Sequence, residues 1–212
     1  MTIINPCTNR EYTRGETLST NNSITIVVSS YKGYNEVRCI VYSFLCQKLS
    51  NWEMIIGHDG PDEMFKEVAK EFEQYNNIRW FTTKERENAW GYNVRNQAIN
   101  MINTEWVVNT NDDNYYVPIY TQELSKYTDV DIIYYDCIHN HEIPFSSNGS
   151  SYGMLIPRLQ QDHIDLGQYA IKTSLLKQHG FNKNNPAADG ELITKLRGAN
   201  SKYINKCLFV HN

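Results

Sequence analysis

The chain has 212 residues, 41% of them hydrophobic and 21% charged, with 20 basic against 24 acidic side chains and a formal charge of -4. That length supports one substantial core and is short for two, and the composition excludes a disordered chain. No basic run or stripe is present, which argues against a nucleic-acid partner, since such binding draws on phosphate neutralisation by Lys and Arg.

Residues 1–22 are polar and aperiodic and are expected to form a surface arm, leaving 23–212 as a single domain. Ile24-Thr25-Ile26-Val27-Val28 is a β-branched run, the composition of a strand buried on both faces. From Asn35 to Gln47 the apolar positions Val37, Ile40, Val41, Phe44 and Leu45 have helical spacing. Glu53 to Gly57 predicts a second strand, ending at His58-Asp59-Gly60. An amphipathic helix follows from about Asp62 to Tyr75, and Ile78 to Phe81 predicts a third strand. Then come a helix over Tyr92 to Ile102, a strand over Trp106 to Val108, a helix from about Val117 to Tyr127 and a strand over Ile132 to Tyr135.

From Cys137 to Gln161 the pattern dissolves into a polar stretch, in which His139 and His141 read as surface residues lacking a third ligand. Helices are expected at Lys172 to Gln178 and Asp189 to Leu196, with a short strand at Lys206 to Val210. Strands alternating with helices imply right-handed βαβ units, hence an α/β fold with a mostly parallel sheet covered on both faces. The chain stops just after an apparent core strand, which suggests a domain of something longer.

The cysteines, Cys7, Cys39, Cys46, Cys137 and Cys207, are scattered and never form C-x-x-C. They read as reduced thiols. With neither a leader-like N-terminus nor an apolar stretch long enough to span a bilayer, a soluble cytoplasmic protein is expected.

In open α/β sheets ligands bind beyond the carboxyl ends of the strands. Ser29-Ser30-Tyr31 follows the first strand, Asp59 the second and Asn111-Asp112-Asp113-Asn114 the fourth, so all three are expected on one rim. Carboxylate and amide oxygens suit Mg2+ or Mn2+, although Asn and Asp also favour turns. An acidic protein that binds a phosphorylated ligand needs a means to offset like-charge repulsion, and a divalent cation supplies one. Asp59 is either a turn residue or an acceptor for a nucleobase N–H. Arg95 is either a solvated helix residue or a forked partner for a diphosphate. Asp189 suits an N-cap as well as a general base. His211 is incidental or a ligand for Mn2+. P-loop, dinucleotide-binding, nucleophile-elbow and H-E-x-x-H motifs are all absent from the sequence.

In this order the rim segments resemble an inverting family 2 glycosyltransferase of the GT-A (Rossmann-like) fold, from Ile24 to His211. Ile26 to Tyr31 is similar to the family's first strand and uridine-contacting Ser-x-Tyr segment. Ser43 to Gln47 with Asn51 to Gly60 matches its "S-L-x-x-Q … W-E … D-D-G" passage. Arg95-Asn96-Gln97-Ala98-Ile99 is similar to the helix before the metal motif, and Trp106 to Pro118 to the D-x-D strand. His58 and Asn111 depart from the family by replacing the first Asp of each motif.

The resemblance implies a nucleotide-binding half over 23–114 and a smaller acceptor half over 115–212. It further implies a UDP-sugar donor near Ser29, Ser30, Tyr31, Asp59, Arg95 and Asp112. Mn2+ or Mg2+ would lie on Asp113, with Asp112 or His211. Asp189 would be the base that inverts the anomeric centre, and Asp165 would contact sugar hydroxyls of a glycan or glycoprotein acceptor. Two other classes stay open: a sugar-phosphate nucleotidylyltransferase, which needs a more Gly-rich loop than Ser29-Ser30-Tyr31-Lys32-Gly33, and a non-catalytic nucleotide- or glycan-binding domain.

Overall fold

The computed structural model describes residues 2–4, 11–13, 23–141 and 151–212, with side chains over 23–139 and 152–212. In the arm, β1 (Thr2–Ile4) and β2 (Glu11–Thr13) pair antiparallel, apart from the main sheet. The segment expected to be aperiodic therefore has a small ribbon of its own.

Among the described residues the main sheet has nine strands and is built around β3 (Ile24–Ser30), which lies between β4 (Trp52–His58) and β6 (Trp106–Asn111). With β5 (Ile78–Thr82) outside β4, these four run parallel. Every residue of β3 is buried, because alternate side chains enter different cores. Ile24, Ile26 and Val28 join Trp52, Met54 and Ile56 under α1 (Tyr34–Leu45), α2 (Glu63–Glu71) and α4 (Tyr120–Leu124). Val27 and Ile55 project the other way, against α3 (Tyr92–Ile99), α5 (Thr173–His179) and α6 (Ala188–Lys195). Each such aliphatic side chain contributes about 1.5–3 kcal/mol when fully buried, so the β-branched run is fixed at the sheet centre. The α/β expectation, with helices on both faces, holds.

Beyond β6 the sheet departs from the sequence pattern. β10 (Tyr169–Lys172) enters antiparallel between β6 and β8 (Ile132–His141). β11 (Ser201–His211) runs parallel to β8 and carries β7 (Tyr115–Tyr116) on its outer edge, while β9 (Ser151–Leu155) pairs with β8. The polar stretch after Cys137 thus holds the end of β8 and all of β9, and the strand expected at Lys206 begins at Ser201. The helix expected from Val117 to Tyr127 contracts to Tyr120–Leu124. The Thr121 N–H that would bond the Val117 carbonyl donates instead to Gln47 Oε1 at 3.1 Å, while Gln47 Nε2 takes that carbonyl at 2.9 Å.

Cys39, Cys137 and Cys207 carry free thiols, but Cys46, at the C-cap of α1, is disulfide-bonded. This corrects the expectation of reduced thiols throughout; Cys7 lies outside the described residues. Among the described residues no helix is long and apolar enough to cross a membrane.

The register pairs Ser29 with both Gly57 and Asn111, and Ser30 with His58. The carboxyl ends of β3, β4 and β6 therefore share one rim. The connections from β3 lead outward through β4 to β5 and then return to β6 on its other side, so the strand order reverses between β3 and β6. That reversal is where such sheets open a crevice.

Candidate functional site

A cleft of ≈ 260 Å³ occupies this switch point, lined by Ser29, Ser30 and Tyr31 at the end of β3, Asp59 after β4, Asn88, Trp90 and Gly91 before α3, and Asn111 and Asp112 at the end of β6. Gly91 allows the close approach. Its φ is +77°, and a Cβ there would lie 2.4 Å from Ser29 Oγ and 2.6 Å from Arg95 Nη1. The cleft brings Ser29, Ser30, Tyr31, Asp59 and Asp112 together as the sequence pattern expects.

Asp59 is 6% exposed, and its Oδ1 accepts from Glu87 N (3.0 Å) and Asn93 Nδ2 (2.9 Å), with Thr83 Oγ1 at 3.4 Å. Its Oδ2 takes the Asn88 N–H at 2.9 Å. Burial pushes this carboxyl up, but the donated hydrogen bonds outweigh it and hold the pKa below the ordinary value. Asp59 is thus a carboxylate that fixes the cleft wall, with lone-pair capacity left on Oδ2.

Tyr31 is 40% exposed, with the Arg86 guanidinium 3.8 Å over its ring and the His58 ring stacked at 5.6 Å. His58, which departs from the family pattern, joins two loops: Nδ1 meets the Gly60 carbonyl at 2.7 Å, and Nε2 accepts the Lys32 N–H at 3.1 Å. Those two contacts assign the proton to Nδ1.

Arg95 is placed differently from either expectation. It is 1% exposed, and its guanidinium donates to the Trp90 carbonyl (3.0 Å), the Thr110 carbonyl (3.2 Å) and Asn111 Oδ1. It lies beneath Gly91 and braces the loop after β6, so direct contact with a diphosphate in the cleft is not what its donors are doing. Asn111 is held by Arg95, and Asn114 donates to Thr110 Oγ1 at 2.9 Å. Both amides of the cluster are therefore structural.

The carboxylates differ. Asp112 Oδ2, Asp113 Oδ1 and Ser30 Oγ are buried with no well-formed hydrogen bond among the described residues, although Ser30 lies close enough to Asp112 to offset part of the effect of burial. Burial, reinforced by the charge of Asp113, pushes Asp112 up to about 6, and burial also raises Asp113. Asp112 packs so closely on the turn before α1 that a Cβ on Gly33 would meet its Oδ2 at 2.2 Å. Buried carboxylate oxygens without donors are hard ligands awaiting positive charge, so these residues fit a divalent cation.

A second group lies around β8, β11 and the turn before β10. Asp165 starts a 3-10 turn (Leu166–Gln168), accepting the Gly167 N–H at 2.7 Å in a capping box completed by Gln168. Its Oδ2 is 3.6 Å from His211 Nε2. His139, expected on the surface, is 5% exposed, and its ring centroid is 4.2 Å from that of His211. The available signal was period-two alternation: Ile133, Tyr135 and Cys137 face one core, and His139 is the next position on that face. His141 has no described side chain. Asp189 lies in the first turn of α6, its Oδ1 accepting from Gly190 N at 2.8 Å. Its charge, after the larger effect of burial, helps push the Tyr92 hydroxyl up to about 12, and it also acts on Arg95 and Asp165. Asp189 and Asp165 thus share one neighbourhood.

Residues 25–179 match the family described as "Glycosyl transferase family 2". The chain belongs to that family. Solved structures agree on the fold: S. aureus TarS 1-349 has a TM-score of 0.72 at 14% identity, covering 90% of this chain and 60% of that one. The same protein in complex with UDP gives 0.71 at 14% identity, with 89% and 60% coverage. The mannosyltransferase PcManGT from Pyrobaculum calidifontis, in complex with GDP-Man and Mn2+, gives 0.65 at 14% identity, with 93% and 60% coverage. The chain therefore spans about 60% of the length of these structures. Within family 2 the rim of β3, β4 and β6 is the position to which the site geometry points.

Proposed function

We propose that the chain transfers a sugar from a nucleoside-diphosphate sugar, a UDP-sugar in the first instance, to a hydroxyl of a glycan or glycoprotein acceptor with inversion. The observation that carries this is the switch-point cleft, where Asp112 stands beside Ser29 to Tyr31 and Asp59, with the buried Asp113 carboxylate next to it in the chain. Complexes of similar structures with UDP, UDP-GlcNAc and GDP-Man lend support to a donor of this class.

The uracil base would stack on Tyr31, with its ring N–H directed to Asp59 Oδ2. Ser29 and Ser30 would contact the diphosphate as it passes over the end of β3. Asp113, with Asp112 or His211, would hold Mn2+ or Mg2+. When bound, that ion stabilises negative charge on the departing diphosphate. Arg95 acts indirectly, by fixing the loop that carries the two aspartates. Asp189 would take the proton from the acceptor hydroxyl as that oxygen attacks the anomeric carbon from the face opposite the nucleotide. The acceptor oxygen gains the glycosyl bond, the bond to the diphosphate breaks, and the proton stays on the Asp189 carboxylate.

Calorimetry with UDP, with and without Mn2+, followed by UDP release across a panel of nucleotide sugars, tests this reading. Expected are metal-enhanced UDP binding and turnover of at least one donor. Binding without turnover of any donor, acceptors supplied, would favour a non-catalytic domain. Pyrophosphate release from a nucleoside triphosphate would favour a nucleotidylyltransferase.

A further inference from the structure

The group formed by His139, Asp165 and His211 is not explained by the donor cleft. β8 and β11 run parallel, and their register makes His139 and His211 direct neighbours. Their rings are 4.2 Å apart at 35°, and one ligand atom from each of the three residues lies within 4.8 Å of the others. A bound transition metal separates such atoms by roughly 3–3.5 Å, given ligand bonds of about 2.1 Å. Small rotations of the imidazoles close that gap.

The turn that carries Asp165 is held by several hydrogen bonds. Asp165 is fixed by the Gly167 N–H at 2.7 Å, and Gln168 Nε2 donates to the Tyr135 carbonyl at 3.1 Å and the Leu155 carbonyl at 3.0 Å. The hydroxyls of Tyr116 (3.0 Å) and Tyr135 (2.8 Å) both donate to the Gly167 carbonyl. Outer contacts of this kind orient a ligating carboxylate and raise affinity.

We propose that His139, Asp165 and His211 form a preformed site for one transition-metal dication, Mn2+ or Zn2+ in class, that fills without nucleotide. Two imidazole nitrogens and one carboxylate favour such an ion over Mg2+, which takes oxygen donors and keeps its waters. The site stands apart from the donor reading, because two of its three ligands lie outside the groups assigned there to the ion, and loading needs no diphosphate.

The test is titration of the nucleotide-free chain with MnCl2, read by loss of the free Mn2+ electron-spin signal, in buffer with and without a large excess of MgCl2. One Mn2+ should bind, the excess Mg2+ should leave it bound, and pulsed electron-spin resonance should detect nitrogen coupled to the ion. His139→Ala, or the milder His139→Gln where the buried alanine variant fails to fold, should weaken binding about 10- to 100-fold. Asp112→Asn should change it by less than about threefold, as a residue outside the ligand set. Mn2+ binding that requires UDP, oxygen-only coupling, or an Asp112→Asn loss equal to that of the His139 variants would overturn the proposal. Each of these measurements stands whether or not the chain transfers sugar.

Discussion

The two ends of the main sheet place polar side chains at the rim by opposite means. Around β3, β4 and β6, each candidate rim residue lies within two positions of its strand's last residue, so a short local run delivers it: Ser30 ends β3, Asp59 follows His58, and Asp112 follows Asn111. Around β8 and β11 the residues come from strand pairing instead. His139 meets His211 only because two strands distant in sequence adopt one register, with shifts between Ile204 and Cys207 and between Cys207 and Phe209. The first region teaches that position along a chain can specify a cleft. The second shows that a ligand set can depend wholly on tertiary pairing.

The largest effect should come from a residue that neither route places, in the first turn of α6. Asp189→Asn removes the carboxylate proposed as base and is nearly isosteric, so kcat should fall about 100- to 10,000-fold. UDP affinity by calorimetry should stay within about twofold, since Asp189 lies outside the cleft lining. Turnover retained in this variant would move the base elsewhere.

Gly91→Ala sharpens the comparison on the cleft side. The backbone there has φ +77°, and the new methyl would press on Ser29 Oγ and Arg95 Nη1. Left-handed strain of order 1 kcal/mol plus overpacking of about 1–3 kcal/mol should lower the urea-unfolding free energy by about 2–4 kcal/mol. Gly180→Ala meets no such contact, its nearest neighbour being Asn96 Oδ1 at 3.5 Å, but at φ +57° and ψ -171° it occupies a region open essentially to glycine alone, so its loss should be wholly conformational.

Asp112 links stability to pH. Its folded-state value is raised to about 6, above the unfolded value, so the native chain favours the protonated carboxyl. The resulting penalty is absent below the unfolded pKa and grows between it and about 6. It is complete above that. The metal-free chain should therefore gain stability as pH falls from 7.5 to 5, and Asp112→Asn should stabilise it at pH 7.5 by about 1–3 kcal/mol. The same substitution should weaken Mn2+-dependent UDP binding. A pH-independent melting temperature in wild type, matched by the variant, would show that Asp112 titrates as if solvated.

The same contrast governs what the sequence reveals. The β3 run and the helical spacing of Val37, Ile40, Val41 and Phe44 are strong because burial on one or both faces leaves a periodic trace. Helices α1, α2, α3, α5 and α6 lie within a few residues of their expected bounds. β7, β9 and β10 are two to five residues long, too short for any period, and exist because partners supply their hydrogen bonds. Arg95 reads as a donor-binding residue from its type and position, yet only the fold reveals that three carbonyl-type oxygens already surround its guanidinium. Asp165 shows both limits at once. The Asp165-to-Gln168 spacing is a legible capping box, whereas its approach to His211 is not legible at all.

The smallest expected effect isolates the cleft's aromatic wall. Arg86 covers the Tyr31 ring at 3.8 Å while itself exposed, and an exposed cation–π contact is worth about 0.5–1 kcal/mol. If the uracil base stacks on that face, Arg86 must withdraw, and binding carries that cost. Arg86→Ala should then lower stability by no more than about 1 kcal/mol while raising UDP affinity about two- to fivefold. Tyr31→Ala should lower affinity, because it removes the platform itself. A weaker UDP complex in both variants would mean that the guanidinium stays on the ring and contributes to nucleotide binding, and the base would then lie on the Asp59 side of the cleft alone.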